Sequence, residues 1–240
     1  FRKTLFTSES MKDCIGGVIL YDETINQSVS SGQSIPDIIS EMGAVPGIKV
    51  DTGAKVLVNS PEEKITEGLD GLRERLEKYH ELGARFTKWR GVYNISEKYP
   101  SKLAIHSNAH ALARYSALVQ ECGMVPIVEP EVLMDGKHSA EDCLNKTSEV
   151  IKKCFEELLL NKVDLKGIIL KPNMILAGNK SKNKISKEEV SSKTLQCLKE
   201  SVPNEVPGIA FLSGGQSEIE ATEKLNLINK NNDTNFIMTY

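Results

Sequence analysis

The chain has 240 residues, 40% of them hydrophobic and 26% charged, with a net charge of −3. This is globular composition, long enough to bury one large core as a single α/β barrel or as two small domains. It excludes a basic nucleic-acid footprint, and with no run of about 18 apolar residues it excludes membrane insertion.

Short apolar runs predict strands at 15–21, 47–51, 86–90, 125–131, 167–173, 208–214 and 236–240. Between them, Leu69, Leu72, Leu76 and Tyr79 recur at helical spacing and predict a helix at 69–82. Further amphipathic stretches predict helices at 109–121, 140–160, 187–200 and 217–230. Strands that alternate with helices give a parallel sheet with helices outside it. No GxGxxG follows the first strand and no phosphate P-loop occurs. The regular repeat therefore favours a (β/α)8 TIM barrel over an open Rossmann sheet. No linker interrupts it, so residues 1–240 read as a single but partial barrel domain, expected to lack the first strand and the end of the last. The polar, lysine-rich segment 179–186 follows a strand directly and predicts a surface loop at the rim. Phe1 stands where a Met would begin a chain, and 236–240 reads as a strand cut mid-run, so both ends are expected to be cuts through a longer protein.

Cys14, Cys122, Cys143, Cys154 and Cys197 are odd in number and form no CxxC pair, which points to reduced thiols rather than a disulfide framework or a zinc site. His106 and His110 are four apart and share a helix face, but with no third ligand in view the pair reads as a solvated surface.

The informative feature is charge where a strand should be dry. Lys49 lies in GIKVD, Lys88 in FTKWR, Glu129 and Glu131 in IVEPE, and Lys171 in ILKPN, each near the C-terminal end of a predicted strand. In a barrel that end is where catalytic groups project. Singly, each has a bland reading: a lysine there snorkels to solvent, a glutamate assists a helix N-terminus, and Asp51 before Thr52-Gly53 makes a turn. Jointly, they suit a carbonyl reaction with a lysine nucleophile and a carboxylate that moves protons. Ser213-Gly214-Gly215 follows another strand and precedes the helix predicted at 217. Glycines there let backbone N–H groups approach an anion, which adds a phosphate to the expected substrate.

At these residues the chain resembles class I, Schiff-base-forming fructose-bisphosphate aldolase. The matching segments are CIGGVIL (14–20), PGIKVD (46–51), EGLDGLRER (67–75), GARFTKWR (83–90), LARY (112–115), VPIVEPE (125–131), LKPNM (170–174) and FLSGGQSEIEA (211–221). Together they run in order along essentially the whole chain.

The resemblance implies roles by position. Lys171 of LKPNM forms the Schiff base, and Glu129 is the acid/base residue. Glu131 and Lys88 complete the charged cluster. Arg90, Lys49 and Asp51 join the substrate-binding set, and Ser213, Gly214 and Gly215 hold phosphate. The implied reaction cleaves fructose 1,6-bisphosphate to dihydroxyacetone phosphate and glyceraldehyde 3-phosphate with no metal or organic cofactor. A cytoplasmic homotetramer is implied as well, with contacts to cytoskeletal or adhesion-complex partners. The family's catalytic aspartate would fall before Phe1, and a Ser-Tyr-Gly-Arg segment would fall after Tyr240. Two alternatives remain at this level: a binding protein on the same scaffold, and another Schiff-base barrel such as a transaldolase.

Overall fold

The computed structural model describes residues 2–240. The strands in chain order are β1 (Gly17–Leu20), β2 (Val45–Lys49), β3 (Gly53–Leu57), β4 (Ser60–Glu67), β5 (Phe86–Tyr93), β6 (Val125–Val132), β7 (Ile169–Leu170), β8 (Gly208–Ala210) and β9 (Ile237–Thr239). All except the β3–β4 hairpin join one parallel sheet in sequence order. The helices are α1 (Arg2–Phe6), α2 (Glu9–Cys14), α3 (Asp22–Ile25), α4 (Ile35–Glu41), α5 (Leu72–Glu81), α6 (Lys102–Glu121), α7 (Ala140–Leu160), α8 (Lys187–Ser201) and α9 (Glu218–Lys230).

The sheet is dry on one side and mixed on the other. Leu20, Ile48, Trp89, Val128, Leu170, Ile209 and Met238 point outward into the helices and are buried. They meet α6 and α7 residues such as Leu112, Tyr115, Ile151 and Leu158 in one continuous core. Trp89 and Tyr115 stack with ring centroids 5.4 Å apart, and the Tyr115 hydroxyl bonds to Thr87 at 2.6 Å. Register partners in a parallel ladder share a face. The inner face therefore carries Gly47, Lys49, Phe86, Lys88, Arg90, Ile127, Glu129 and Ile169. Phe86 lies across Gly47 so closely that any Cβ there would collide with its ring.

Among the described residues β1 and β9 share no ladder. The sheet is nonetheless curled, because residues of both line a single cavity of about 510 Å³ with Phe86, Ile127 and Lys171 between them. This is the architecture of an α/β barrel, the expected fold class, in a seven-stranded parallel form.

Three differences from the sequence expectation have local causes. The ladder at β7 spans two residues rather than 167–173, because Pro172 has no amide to continue it; the Lys171 amide makes one more bond, to the Val128 carbonyl at 2.8 Å. Helix α6 begins at Lys102 instead of 109, where the Ser101 hydroxyl accepts from the Ala104 amide at 3.2 Å and caps the first turn. The β3–β4 hairpin was not expected, since SPEEK carries no apolar alternation; it turns at Asn59, whose φ of 66° is the left-handed conformation asparagine tolerates.

Candidate active site

Glu129 is where the inner face changes from apolar to charged. It is 2% exposed, on a β6 strand made of Val, Ile and Pro apart from Glu129 and Glu131. A carboxylate that deep demands positive partners. Lys171 Nζ donates to Oε1 at 2.6 Å from the end of β7, and Lys88 Nζ forms an ion pair with Oε2 at 2.7 Å from β5. The two lysine side chains keep 20% and 14% of their surface exposed, so both are mostly enclosed, and Lys171 lines the cavity. One glutamate thus bridges two lysines across three adjacent strands.

Two further pairs extend the row. Arg90 Nε donates to Glu131 Oε2 at 2.6 Å. Burial works against the Arg90 charge, but Glu131, with Glu129 and Asp51 behind it, more than offsets that and raises its pKa. Lys49 Nζ donates to the Asp51 carboxylate at 2.5 Å and to its carbonyl at 2.9 Å. Asp51 also accepts from the Gly53 amide at 3.1 Å and, with its other oxygen, from the Arg90 amide at 3.4 Å. The turn role expected of Asp51 and its place in the charged set are therefore one geometry.

Ser213-Gly214-Gly215 forms a tight turn between β8 and α9. Gly214 and Gly215 have φ of +58° and +79°, consecutive left-handed residues that a side chain would strain. Among the described residues the amides of Ser213, Gly214 and Gly215 find no intramolecular acceptor. Leu212, just before the turn, donates to the Pro172 carbonyl at 3.3 Å and ties it to the segment that follows Lys171. Three free amides in a row make an anion-holding concavity.

Several residues that organise this site lay outside the candidate set. Asn173 is buried, takes a bond from the Val132 amide at 3.0 Å and gives one to Thr147 at 3.1 Å, so it joins β6 to β7 where the ladder has stopped. The Thr66 hydroxyl donates to the Arg90 carbonyl at 2.6 Å and its amide donates to Asn108 Oδ1 at 3.1 Å, which straps the hairpin to β5 and α6. Asn173 stands inside LKPNM and was visible there as a polar residue in an apolar run; Thr66 and Asn108 carried no such signal.

His106 and His110 lie exposed on one helix face, as expected, and they are also paired there. Both rings turn Nδ1 to Glu157 of α7, at 3.3 and 3.0 Å, and Lys153 joins at 3.1 Å. Among the described residues no group of three or more His, Cys, Asp or Glu is placed to hold a metal ion, and no helix is long and apolar enough to cross a membrane.

Fold and site together define an α/β-barrel protein whose strand-end face carries a lysine–carboxylate cluster and a glycine turn with three free amides. Residues 1–240 match the family model of glycolytic class-I fructose-bisphosphate aldolase. A probable class 1 fructose-bisphosphate aldolase from Xylella fastidiosa is 48% identical over 230 residues, 96% of this chain and 69% of that protein. The cytosolic fructose-bisphosphate aldolase 4 of Arabidopsis thaliana is 48% identical over 229 residues, 95% of this chain and 58% of its own length. A crystal structure of Plasmodium falciparum fructose-bisphosphate aldolase, in complex with TRAP and a small-molecule inhibitor, superposes with a TM-score of 0.97 at 42% identity and covers 100% of this chain and 70% of that one. The chain belongs to the class-I fructose-bisphosphate aldolase family, an enzyme family of lyases.

Proposed function

We propose that Lys171 is the group that attacks the C2 ketone of fructose 1,6-bisphosphate and that Glu129 moves the protons this attack requires. The observation that carries the reading is the bridging of Lys171 and Lys88 by one buried carboxylate. Lys171 gives a proton to Glu129 across the 2.6 Å contact, and its freed nitrogen adds to the ketone. Glu129 returns the proton to the carbinolamine hydroxyl, which leaves as water, and the protonated imine becomes the electron sink for cleavage of C3–C4. Lys88 holds the second oxygen of Glu129 and keeps positive charge beside the reacting centre. As C3–C4 breaks, a base takes the C4 hydroxyl proton and glyceraldehyde 3-phosphate leaves; the enamine then regains a proton at C3, and hydrolysis of the resulting imine releases dihydroxyacetone phosphate. Arg90 with Glu131, and Lys49 with Asp51, orient the sugar hydroxyls and one phosphate, while Ser213, Gly214 and Gly215 receive a phosphate on free amides.

Residues 1–240 form part of one barrel domain that works in a cytoplasmic homotetramer. The cytosolic Arabidopsis relatives support the compartment, and the Plasmodium falciparum aldolase in complex with TRAP supports binding of a partner. The test is covalent trapping. With dihydroxyacetone phosphate and borohydride, the protein that carries this chain should retain a reduced adduct on Lys171, and an adduct on Lys88 or Lys49 instead would overturn the assignment.

A further inference from the structure

We infer that Lys224 is a positioning residue for the anion-holding turn and acts through Gln216; this rests on reading Ser213–Gly215 as the phosphate site. The turn has little else to hold it. Its amides are free, and two of its three residues are glycines in left-handed conformation. Its inward anchor is the Ser213 carbonyl, which accepts from the Gln216 amide at 3.2 Å and from the Gln216 side-chain Nε2 at 2.8 Å. Fixing that carbonyl inward turns the following peptide N–H groups outward, where a phosphate would meet them.

The Gln216 side chain can serve only in one orientation. Its Nε2 must face the Ser213 carbonyl, because Oε1 placed there would set acceptor against acceptor. Lys224 makes that choice. It stands in the second turn of α9, and its ammonium donates to Oε1 at 2.6 Å. An ammonium has no acceptor, so it pins Oε1 and leaves Nε2 for Ser213. The Met174 sulfur, 3.7 Å from Nε2, adds a contact to the segment beyond Lys171. The base of α9 is itself rigid, since Ser217 and Glu220 form a capping box. Lys224 therefore reaches the turn through a short series of directional bonds that begins on a fixed helix.

The test compares Lys224→Met, Lys224→Arg and Gly214→Val in the protein that carries this chain, with kinetics on fructose 1,6-bisphosphate, inhibition by inorganic phosphate and thermal melting. Lys224→Met should raise KM by roughly fivefold to tenfold, the loss expected for about one ordinary hydrogen bond because the lysine acts through Gln216, with kcat within about twofold. Inhibition by phosphate should weaken in parallel, and Lys224→Arg, which keeps a donor, should restore most of both. An unchanged KM in Lys224→Met beside a raised KM in Gly214→Val would overturn this inference and leave the phosphate site standing. An unchanged KM in both variants would remove the phosphate site itself. Equal losses in kcat and kcat/KM with a lowered melting temperature and no rescue by arginine would show a merely structural lysine and also overturn the inference.

Discussion

Glu129 and Glu157 are the same electrostatic object in two places. Each is a glutamate almost without exposed surface, 2% and 3%, held by cationic or imidazole side chains at 2.6–3.3 Å. Glu129 stands on a strand, faces the cavity, and is gripped by lysines that are themselves mostly enclosed. Glu157 lies on α7 against α6, and the side chains that cover it are 60%, 47% and 31% exposed. The difference teaches that a buried, fully paired carboxylate does not by itself mark an active site. What marks it is the location of the partners: at strand ends, on the concave face, where a third molecule can reach them. On the helix pair the same grouping fastens two elements together.

The contrast predicts two separable phenotypes. Loss of the inner cluster should abolish rate and spare the fold, with Lys171→Arg the largest case. Arginine keeps its proton and cannot form an imine, so turnover should vanish while the melting temperature stays near wild type; measurable turnover would remove Lys171 from the covalent role. Glu129→Gln should lower kcat by roughly 10²–10⁴-fold, the usual range for a general acid–base group, with KM far less changed. A large rise in KM at wild-type kcat would make Glu129 a binding residue only. Gly214→Val should act on binding. A β-branched side chain at a φ of +58° forces the turn out of shape, and affinity for the bisphosphate should fall about tenfold, the worth of one or two charge-assisted hydrogen bonds. Equal affinity in a titration of variant and parent would leave the turn without a ligand.

The inner cluster was legible in the sequence because a strand with both faces covered is nearly all apolar, so each Lys or Glu within it stood out. GIKVD, TKWR, VEPE and LKPN each set a charge against such a background. Helices gave no contrast of this kind. His106, His110, Lys153 and Glu157 lie among ordinary helix-surface residues, and only the crossing of α6 and α7 brings them together. The short helices α3 and α4 and the β3–β4 hairpin escaped for a related reason. They are short, and long-range bonds that help to hold them, such as Tyr79 to Asp22 at 2.9 Å and Glu63 to the Ser101 amide at 2.7 Å, leave no periodic trace. Asn173 and Gln216 sat inside legible motifs, yet their work is to bond backbone that only the fold brings near.

The smallest effect belongs to Glu157→Gln, and it is where the comparison is most exposed to failure. The substitution keeps shape and removes charge, so kcat and KM should stay within about twofold of wild type. Stability should fall by about 1 kcal/mol at neutral pH, because the partners are half in solvent and screening limits what each pair contributes. The pH dependence carries a definite sign. Burial pushes the Glu157 carboxyl up, but hydrogen bonds from His110 and Lys153 and the charges of Lys153 and His106 outweigh it and hold it below the ordinary glutamate value. A carboxylate with a depressed folded pKa contributes stability that is complete above its unfolded pKa and is lost as pH falls through the folded value. The gap between wild type and Glu157→Gln in chemical denaturation should therefore be widest near neutrality and close in acid, at a pH below the usual glutamate range. A gap that widened in acid would mean that the neutral carboxyl is the better partner. A change in kcat as large as that of Glu129→Gln would end the distinction between the two glutamates.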